Sequence, residues 1–243
     1  MADTTRIALV TGANKGIGFE IARQLGETGV TVLLGARDPG RAEAALAELR
    51  RTGGAFESVR IDVTDEESIT EATRHIEEKH GRLDILVNNA GIVDADDGPA
   101  GKASIAAIRR IMETNFIGAV AVTQAMLPLL KKSKAARIVN LSSTLGSLWS
   151  NSDPASPYYS QRLLGYNASK AALNMLTAQL NAELRDTSIA VNSVSPGFVK
   201  TDLTGHRGFM TPAEGARLPV QYALLEDGAV SGKFVGPDGE TPW

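Results

Sequence analysis

Short apolar runs of β type alternate with longer stretches of helical periodicity along the 243-residue chain, the order expected of a parallel sheet covered on both faces. Residues 6–10, 30–35, 55–61, 83–88, 137–141, 189–194 and 233–235 predict seven strands. Helices are predicted over 17–27, 39–51, 66–80, 104–130, 159–185 and 212–225. Two helix starts carry their own signals. Asp38-Pro39 places a capping carboxylate before proline at the first helical position, and Thr64-Asp-Glu-Glu67 has the form of a capping box. Segments 94–99 and 150–157, rich in Asp, Ser, Gly and Pro, read as loops. No repeat, charge block or low-complexity tract interrupts the pattern, so residues 1–243 are expected to form one domain with a substantial core.

The first strand, Ile7-Ala-Leu-Val10, runs directly into Thr11-Gly-Ala-Asn-Lys-Gly-Ile-Gly18 and then into a helix. Gly12 can take the positive φ of the turn, and Gly16 lets the backbone approach a pyrophosphate. Gly18 permits close helix-to-strand packing while the helix N-terminus faces the phosphates. The spacing Gly-x-x-x-Gly-x-Gly departs from the Gly-x-Gly-x-x-Gly dinucleotide fingerprint, so the turn alone is equally compatible with an ordinary tight βα connection. Right-handed crossovers lead to a Rossmann-type, doubly wound α/β fold with strand order 3-2-1-4-5-6-7. Its ligand would lie at the switch point between strands 1 and 4.

The chemistry begins in Gly165-Tyr-Asn-Ala-Ser-Lys170, where a phenol and an ammonium four residues apart share one helix face. A phenol in water, with a pKa of about 10, is a poor proton donor at neutral pH. A cation within a few ångströms favours the phenolate and brings that pKa down. The pair taken alone also fits an aromatic residue beside a solvated lysine.

The ordered set Thr11-Gly-Ala-Asn-Lys-Gly-Ile-Gly18, Asp62-Val63, Asn88-Asn-Ala-Gly91, Asn115, Asn140-Leu-Ser-Ser143, Tyr166-x-x-x-Lys170 and Pro196-Gly-Phe-Val-Lys-Thr201 resembles the short-chain dehydrogenase/reductase family over essentially the whole chain. Thr11-Gly-Ala-Asn-Lys15, Ala36-Arg-Asp38, Thr211-Pro-Ala-Glu-Gly215 and Gly232-Lys-Phe-Val235 are most similar to its NADPH-dependent carbonyl reductases. The resemblance implies an oxidoreductase that moves a hydride between NADP(H) and the carbonyl or alcohol carbon of a small ketone, aldehyde or quinone. Tyr166 would be its general acid/base. Lys170 would tune the phenol and hold the nicotinamide ribose, and Ser143, with Ser142 as the alternative, would bind the carbonyl oxygen. Asn115, a weak helix former in mid-helix, would bind a local backbone group or a water that connects Lys170 to solvent.

By the same resemblance the cofactor is held by Gly12, Asn14, Lys15, Gly16, Ile17 and Gly18 of the turn, by Asp62 and Val63 at the adenine, and by Asn89, Ala90 and Gly91 beside the adenosine ribose. Asn88 would be mainly structural. Pro196, Gly197, Val199 and Thr201 would close over the nicotinamide and phosphates, and residues 202–211 would form a small lid. Cofactor choice depends on the end of the second strand, where an acid would favour NAD and repel a 2′-phosphate. Ala36 occupies that position, while Arg37 and Lys15 offer cations, so NADP is expected. Asp38 could cap its helix or swing toward the ribose.

Composition narrows the partners. Net charge is −3, the basic residues are dispersed, and neither nucleic acid nor an anionic membrane is expected as a partner. With no cysteine there is no disulfide or thiolate site, and among His75, His80 and His206 no metal site is expected. No targeting or membrane-length apolar stretch is visible, so a soluble, cytoplasmic protein is expected. The loop between Ser143 and Tyr166 lacks the long insertion of monomeric carbonyl reductases, which leaves monomer, homodimer and homotetramer open. Two other functions share parts of the pattern. A 3-oxoacyl-carrier-protein reductase would need a basic docking patch, and a non-catalytic NADPH-sensing regulator would have lost the Asn115, Ser143, Tyr166 and Lys170 set.

Overall fold

Along β1 (Ile7–Thr11) successive side chains enter opposite cores, Ala8 and Val10 on one side of the sheet and Ile7 and Leu9 on the other. Burial on both faces is why this strand reads as an uninterrupted apolar run. The computed structural model describes residues 5–228 and 230–243. Its sheet has the order β3-β2-β1-β4-β5-β6-β7-β8. The other strands are β2 (Thr31–Ala36), β3 (Phe56–Arg60), β4 (Ile85–Asn88), β5 (Arg137–Leu141), β6 (Ala190–Val194), β7 (Phe234–Gly236) and β8 (Gly239–Glu240). The helices are α1 (Gly16–Glu27), α2 (Pro39–Leu49), α3 (Glu66–His80), α4 (Ile105–Met112), α5 (Gly118–Leu130), α6 (Leu148–Ser152), α7 (Leu164–Glu183) and α8 (Pro212–Ala223). One core is closed by α1, α2 and α8 through residues such as Ile21, Leu46 and Val220. The opposite core is closed by α3, α5 and α7 through residues such as Ile76, Met126 and Leu180. The fold is thus the doubly wound Rossmann arrangement that the alternation predicts, with β1 to β7 parallel.

The sheet departs from the expected seven strands by one. β8 pairs antiparallel with β7 through the contacts Val235↔Glu240 and Gly236↔Gly239, across a turn in which Gly239 has φ +110°. So short a strand has no periodicity to detect, and it pairs with β7 at that edge of the sheet.

The long helix expected over 104–130 is interrupted. Between α4 and α5, residues Glu113–Ile117 form a π-helical turn, the extra-residue bulge that re-aims side chains within a helix. Asn115 sits in this bulge and bonds sideways rather than along the helix. The helix expected from 159 begins at Leu164 instead, because backbone and carboxylate acceptors from residues 97 and 98 receive its first amides. Part of the 150–157 loop is helical, as the end of α6, whose N-terminus Ser147 caps through Ser150 N at 3.0 Å. Asp38 caps α2 as expected, accepting from Arg41 N at 2.9 Å. At α3 the cap is Asp65, which accepts from Glu67 N and Ser68 N, rather than a Thr64–Glu67 box. Thr64 is occupied with Asp62 instead.

Below the strand ends a buried polar chain ties the sheet to the helices that cover it. Asn88 Nδ2 donates to Asn140 Oδ1 at 2.8 Å and Thr123 Oγ1 at 2.9 Å; Asn140 Nδ2 donates to Thr177 Oγ1 at 2.8 Å, and Thr177 Oγ1 meets Ser193 Oγ at 2.8 Å. Each member lies where water does not reach, so leaving one partner unpaired would cost about 1–3 kcal/mol. Asn88 is therefore the structural residue that its place in the sequence suggests.

Candidate active site

The carboxyl ends of β1 and β4 meet at the switch point, held together by Thr11. Its Oγ1 accepts from Asn89 N and Ala90 N, each at 3.0 Å. Asn89 Nδ2 in turn donates to Thr11 O at 2.7 Å and Gly12 O at 3.2 Å, bracing the glycine turn from behind. Gly18 is fixed by this brace, since a Cβ there would stand 2.4 Å from Asn89 Nδ2 and 2.6 Å from Gly12 O. Gly12 and Gly16 both take left-handed φ, +65° and +59°. Ile17, in the first turn of α1, packs its partly buried side chain against the core.

The start of α1 has no side-chain cap, in contrast to α2, α3, α4 and α8, and no acid in its first turn. Uncapped first-turn amides with the positive end of the helix dipole suit an anion. They open on a groove of about 640 Å³ lined by Asn14, Lys15, Gly16, Arg41 and Asp202 among others. Arg41 had no signal in the sequence, because its place in the groove depends on how α2 packs beside the turn. Lys15 Nζ donates to Asp202 Oδ2 at 2.5 Å, and His206 Nε2 lies 3.0 Å from Asp202 Oδ1, so the predicted lid is latched to the glycine turn. The Lys15 ammonium foremost, with His206 adding to it, holds the Asp202 carboxyl below its ordinary value.

Asp62 accepts from Thr64 N at 3.0 Å and Thr64 Oγ1 at 2.8 Å. Burial acts to raise its pKa, but those bonds and the positive charge of Arg37 hold it below the ordinary value. Val63 is buried against Gly118, where a Cβ would stand 2.7 Å from Val63 O. Ala36 is buried at the end of β2 and carries no acid toward the groove. One oxygen of the Asp38 carboxylate caps α2, the first of the two roles that the sequence leaves open.

Around the other half of the edge, the segment 195–201 joins two otherwise distant parts of the site. Ser195 Oγ accepts from Thr144 N at 3.2 Å, next to Ser143. At its far end Thr201 Cγ2 lies 3.5 Å from where a Cβ on Gly16 would stand. Pro196 and Gly197 follow Ser195, with Gly197 at φ +85° against Met210, while Val199 is buried and bridges to Met210. Phe198 and Phe209 meet edge to face at 6.1 Å and are both exposed.

Between these walls the structure brings together Ser143, Tyr166, Lys170 and Asn115. Ser143 lies beside Tyr166 and acts to lower the pKa of its phenol, and Lys170 Nζ lies 5.7 Å from the centre of the tyrosine ring. Lys170 Nζ donates to Leu141 O at 2.8 Å. Asn115 Oδ1 accepts from Ile92 N at 2.8 Å, and its Nδ2 donates to Ile92 O at 3.0 Å and Ser169 Oγ at 3.1 Å. A Cβ at Gly91 would be 3.4 Å from Asn115 Oδ1 and 3.6 Å from Lys170 Nζ, so the chain after β4 passes close to both. Ser142 is excluded from the cluster: its hydroxyl is buried and donates to Asn174 Oδ1 at 2.6 Å.

Burial dominates the titration of the pair. It pushes the Tyr166 phenol up to about 12, with Ser143 acting the other way, and pushes the Lys170 ammonium down to about 8. The phenol therefore keeps its proton at neutral pH, whereas proximity to lysine alone predicts the opposite direction; desolvation of both groups is the stronger effect here. A stability test follows. With Lys170 depressed from 10.5 to about 8, the unfolded chain binds more protons between those values, so stability should rise with pH across that window. Below pH ~8 the full cost of burying an ammonium is present; Tyr166, shifted upward, opposes the rise only above its ordinary value of 10.0. Urea unfolding of nucleotide-free protein at pH 7.5 and 9.5 should show this gain in the wild type, and Lys170→Met should abolish it. Equal gains in the two proteins would refute the assignment.

A doubly wound sheet with a glycine turn at its switch point and a buried tyrosine–lysine pair at the same edge defines a nucleotide-dependent oxidoreductase. The chain belongs to the short-chain dehydrogenase family, whose model matches residues 6–209. Among its relatives is the short-chain dehydrogenase anuI of Penicillium roqueforti, 39% identical over 93% of this chain and 90% of that protein. Carbonyl reductase (NADPH) 1 of Sus scrofa is 33% identical over 100% of this chain and 96% of its own. The crystal structure of NADPH-bound carbonyl reductase from chicken fatty liver superposes with a TM-score of 0.86 at 31% identity, covering 98% and 99% of the two chains. The protein thus lies near the carbonyl reductases within the family. No helix among the described residues is long and apolar enough to cross a membrane, and these residues contain no cluster of three or more potential metal ligands.

Proposed function

We propose that this protein is an NADPH-dependent carbonyl reductase that converts a small ketone, aldehyde or quinone to its alcohol or hydroquinone, with Tyr166 as proton donor. The observation that carries the reading is the gathering of Ser143 with the buried Tyr166, Lys170 and Asn115 at the switch-point edge, one segment away from a groove whose lining suits phosphates. The residues fit the nucleotide. Uncapped amides of α1 would receive the pyrophosphate, Lys15, Arg37 and Arg41 the 2′-phosphate, and Asp62 and Val63 the adenine. Lys170, beside Gly91 and behind Tyr166, would hold the ribose next to the nicotinamide.

NADPH bound there supplies the hydride, and the protein's own groups manage the proton. Ser143 and Tyr166 present two hydroxyls to one carbonyl oxygen, the arrangement that stabilises charge where it develops. A phenol protonated at neutral pH is the state a reductase requires. Asn115 ties the Ile92 backbone and Ser169 together at the π turn, a support for the relay residues. Phe198 and Phe209 offer apolar surface beside the same segment and favour substrates with hydrophobic bodies. A cytoplasmic setting, where NADPH is the working reductant, accords with this reading.

The test is NADPH oxidation against a panel of aldehydes, quinones, ketones and acyl thioesters. Turnover of the first three classes is expected. Activity confined to the thioesters would replace this reading with a 3-oxoacyl-thioester reductase, and NADPH binding without any turnover would leave a nucleotide-sensing regulator.

A further inference from the structure

The helix that carries Tyr166 does not cap itself. At α7 the N-cap residue is Leu163, which has no side chain able to accept a hydrogen bond, whereas α2, α3, α4 and α8 are capped by Asp38, Asp65, Ser104 and Thr211 from their own N-cap positions. The orphan amides of α7 are taken instead by residues far away in sequence. Leu164 N donates to Gly98 O at 2.9 Å, Gly165 N to Asp97 Oδ1 at 2.8 Å and Tyr166 N to Asp97 Oδ2 at 2.9 Å. A single carboxylate thus grips two consecutive amides, one of them the amide of the tyrosine. Each is a charge-assisted bond, and negative charge is favoured at this end of a helix.

The loop that supplies Asp97 is itself tied down. Asp94 Oδ2 accepts from Arg110 Nε at 2.8 Å, Asp97 N donates to Asp94 O at 3.1 Å, and Gly98 N donates to Asp97 Oδ1 at 2.9 Å. Gly165 completes the fit: a Cβ there would stand 3.0 Å from Ile111 Cδ1, 3.2 Å from Ile108 Cα and 3.3 Å from Asp97 Oδ1. The first turn of α7 is therefore wedged between α4 and this loop, and the carboxylate sets where the helix begins and how it is rotated.

We propose that Asp97 is a positioning residue, which fixes the hydroxyl of Tyr166 relative to Ser143 by holding the amides of Gly165 and Tyr166. It touches neither substrate nor cofactor. This role rests on Tyr166 being the proton donor. Each residue of an α-helix is turned by about 100° from the last, so freeing the first turn lets the phenol leave the narrow range in which it can deliver a proton.

The test is a double-mutant cycle read as kcat per NADPH-binding site. Asp97→Ala should lower kcat about tenfold and leave the NADPH Kd within about twofold, since misplacements near 1 Å carry losses up to about a hundredfold. In a Tyr166→Phe background the same substitution should change the residual rate by less than about twofold, because no donor is left to misplace. Asp97→Asn keeps one acceptor and should recover part of the loss, and it carries the test if the alanine variant does not fold. An unchanged kcat, or an equal loss in both backgrounds, would reduce Asp97 to an ordinary helix cap and overturn the proposal. If Tyr166→Phe by itself retains full turnover, the proton-donor reading falls first and the positioning role falls with it.

Discussion

Replacing Tyr166 by phenylalanine should lower turnover by about a hundredfold or more while leaving nucleotide binding nearly intact. The ring is buried on the inner face of α7, and phenylalanine fills the same space, so the packing that holds the helix should survive. What is lost is the hydroxyl that lies beside Ser143 and would give its proton to the developing alkoxide. Ser143 still donates to the oxygen in the variant, and residual turnover should come from that one bond and from proximity. Lys170→Met should behave differently, reducing both NADPH affinity and turnover. The measurement is kcat with the best substrate of the panel, alongside NADPH titration by fluorescence. Unchanged turnover across all active substrates would rule out the mechanism.

How much of this was legible in the sequence depended on the range of the interaction. The strands and most helix limits follow from local periodicity, and Asp38 was readable as a cap because its partner, Arg41, is three residues away. The site residues were legible as an ordered set of motifs, but their supports were not. Asn115 could be marked as a poor mid-helix residue, yet nothing local shows that a π turn would aim it at Ile92 and Ser169. Asp97 lies in a segment whose composition says only loop; its partners are 68 and 69 residues away. Lys15 meets Asp202 across 187 residues, and Ser142 is removed from the site by Asn174, which has no motif of its own. The direction of the Tyr166 shift is hidden from the sequence for a related reason. A motif records that a cation is near, whereas the cost of burying both groups is set by the whole fold.

Nucleotide preference should be reversible at the end of β2. Arg37→Ala removes charge-assisted hydrogen bonds to a 2′-phosphate, each worth about 1.5–3 kcal/mol, so NADPH affinity should fall by about tenfold to a hundredfold while NADH affinity barely moves. Ala36→Asp should go further: Ala36 is buried against the strand end, and a carboxylate there would both receive a free ribose hydroxyl and repel the phosphate. The natural acid nearby, Asp38, serves as a helix cap, accepting from Arg41 N at 2.9 Å. Lys15→Ala should act in the same direction as Arg37→Ala but more weakly. Its ammonium makes a single, more hydrated contact and must first leave Asp202, which competes for it at 2.5 Å. Equilibrium titrations of both nucleotides in one buffer decide the matter. Wild-type protein that binds NADH as tightly as NADPH would overturn the assignment, and a gain in NADPH preference in Asp38→Asn would show that its carboxylate reaches the ribose after all.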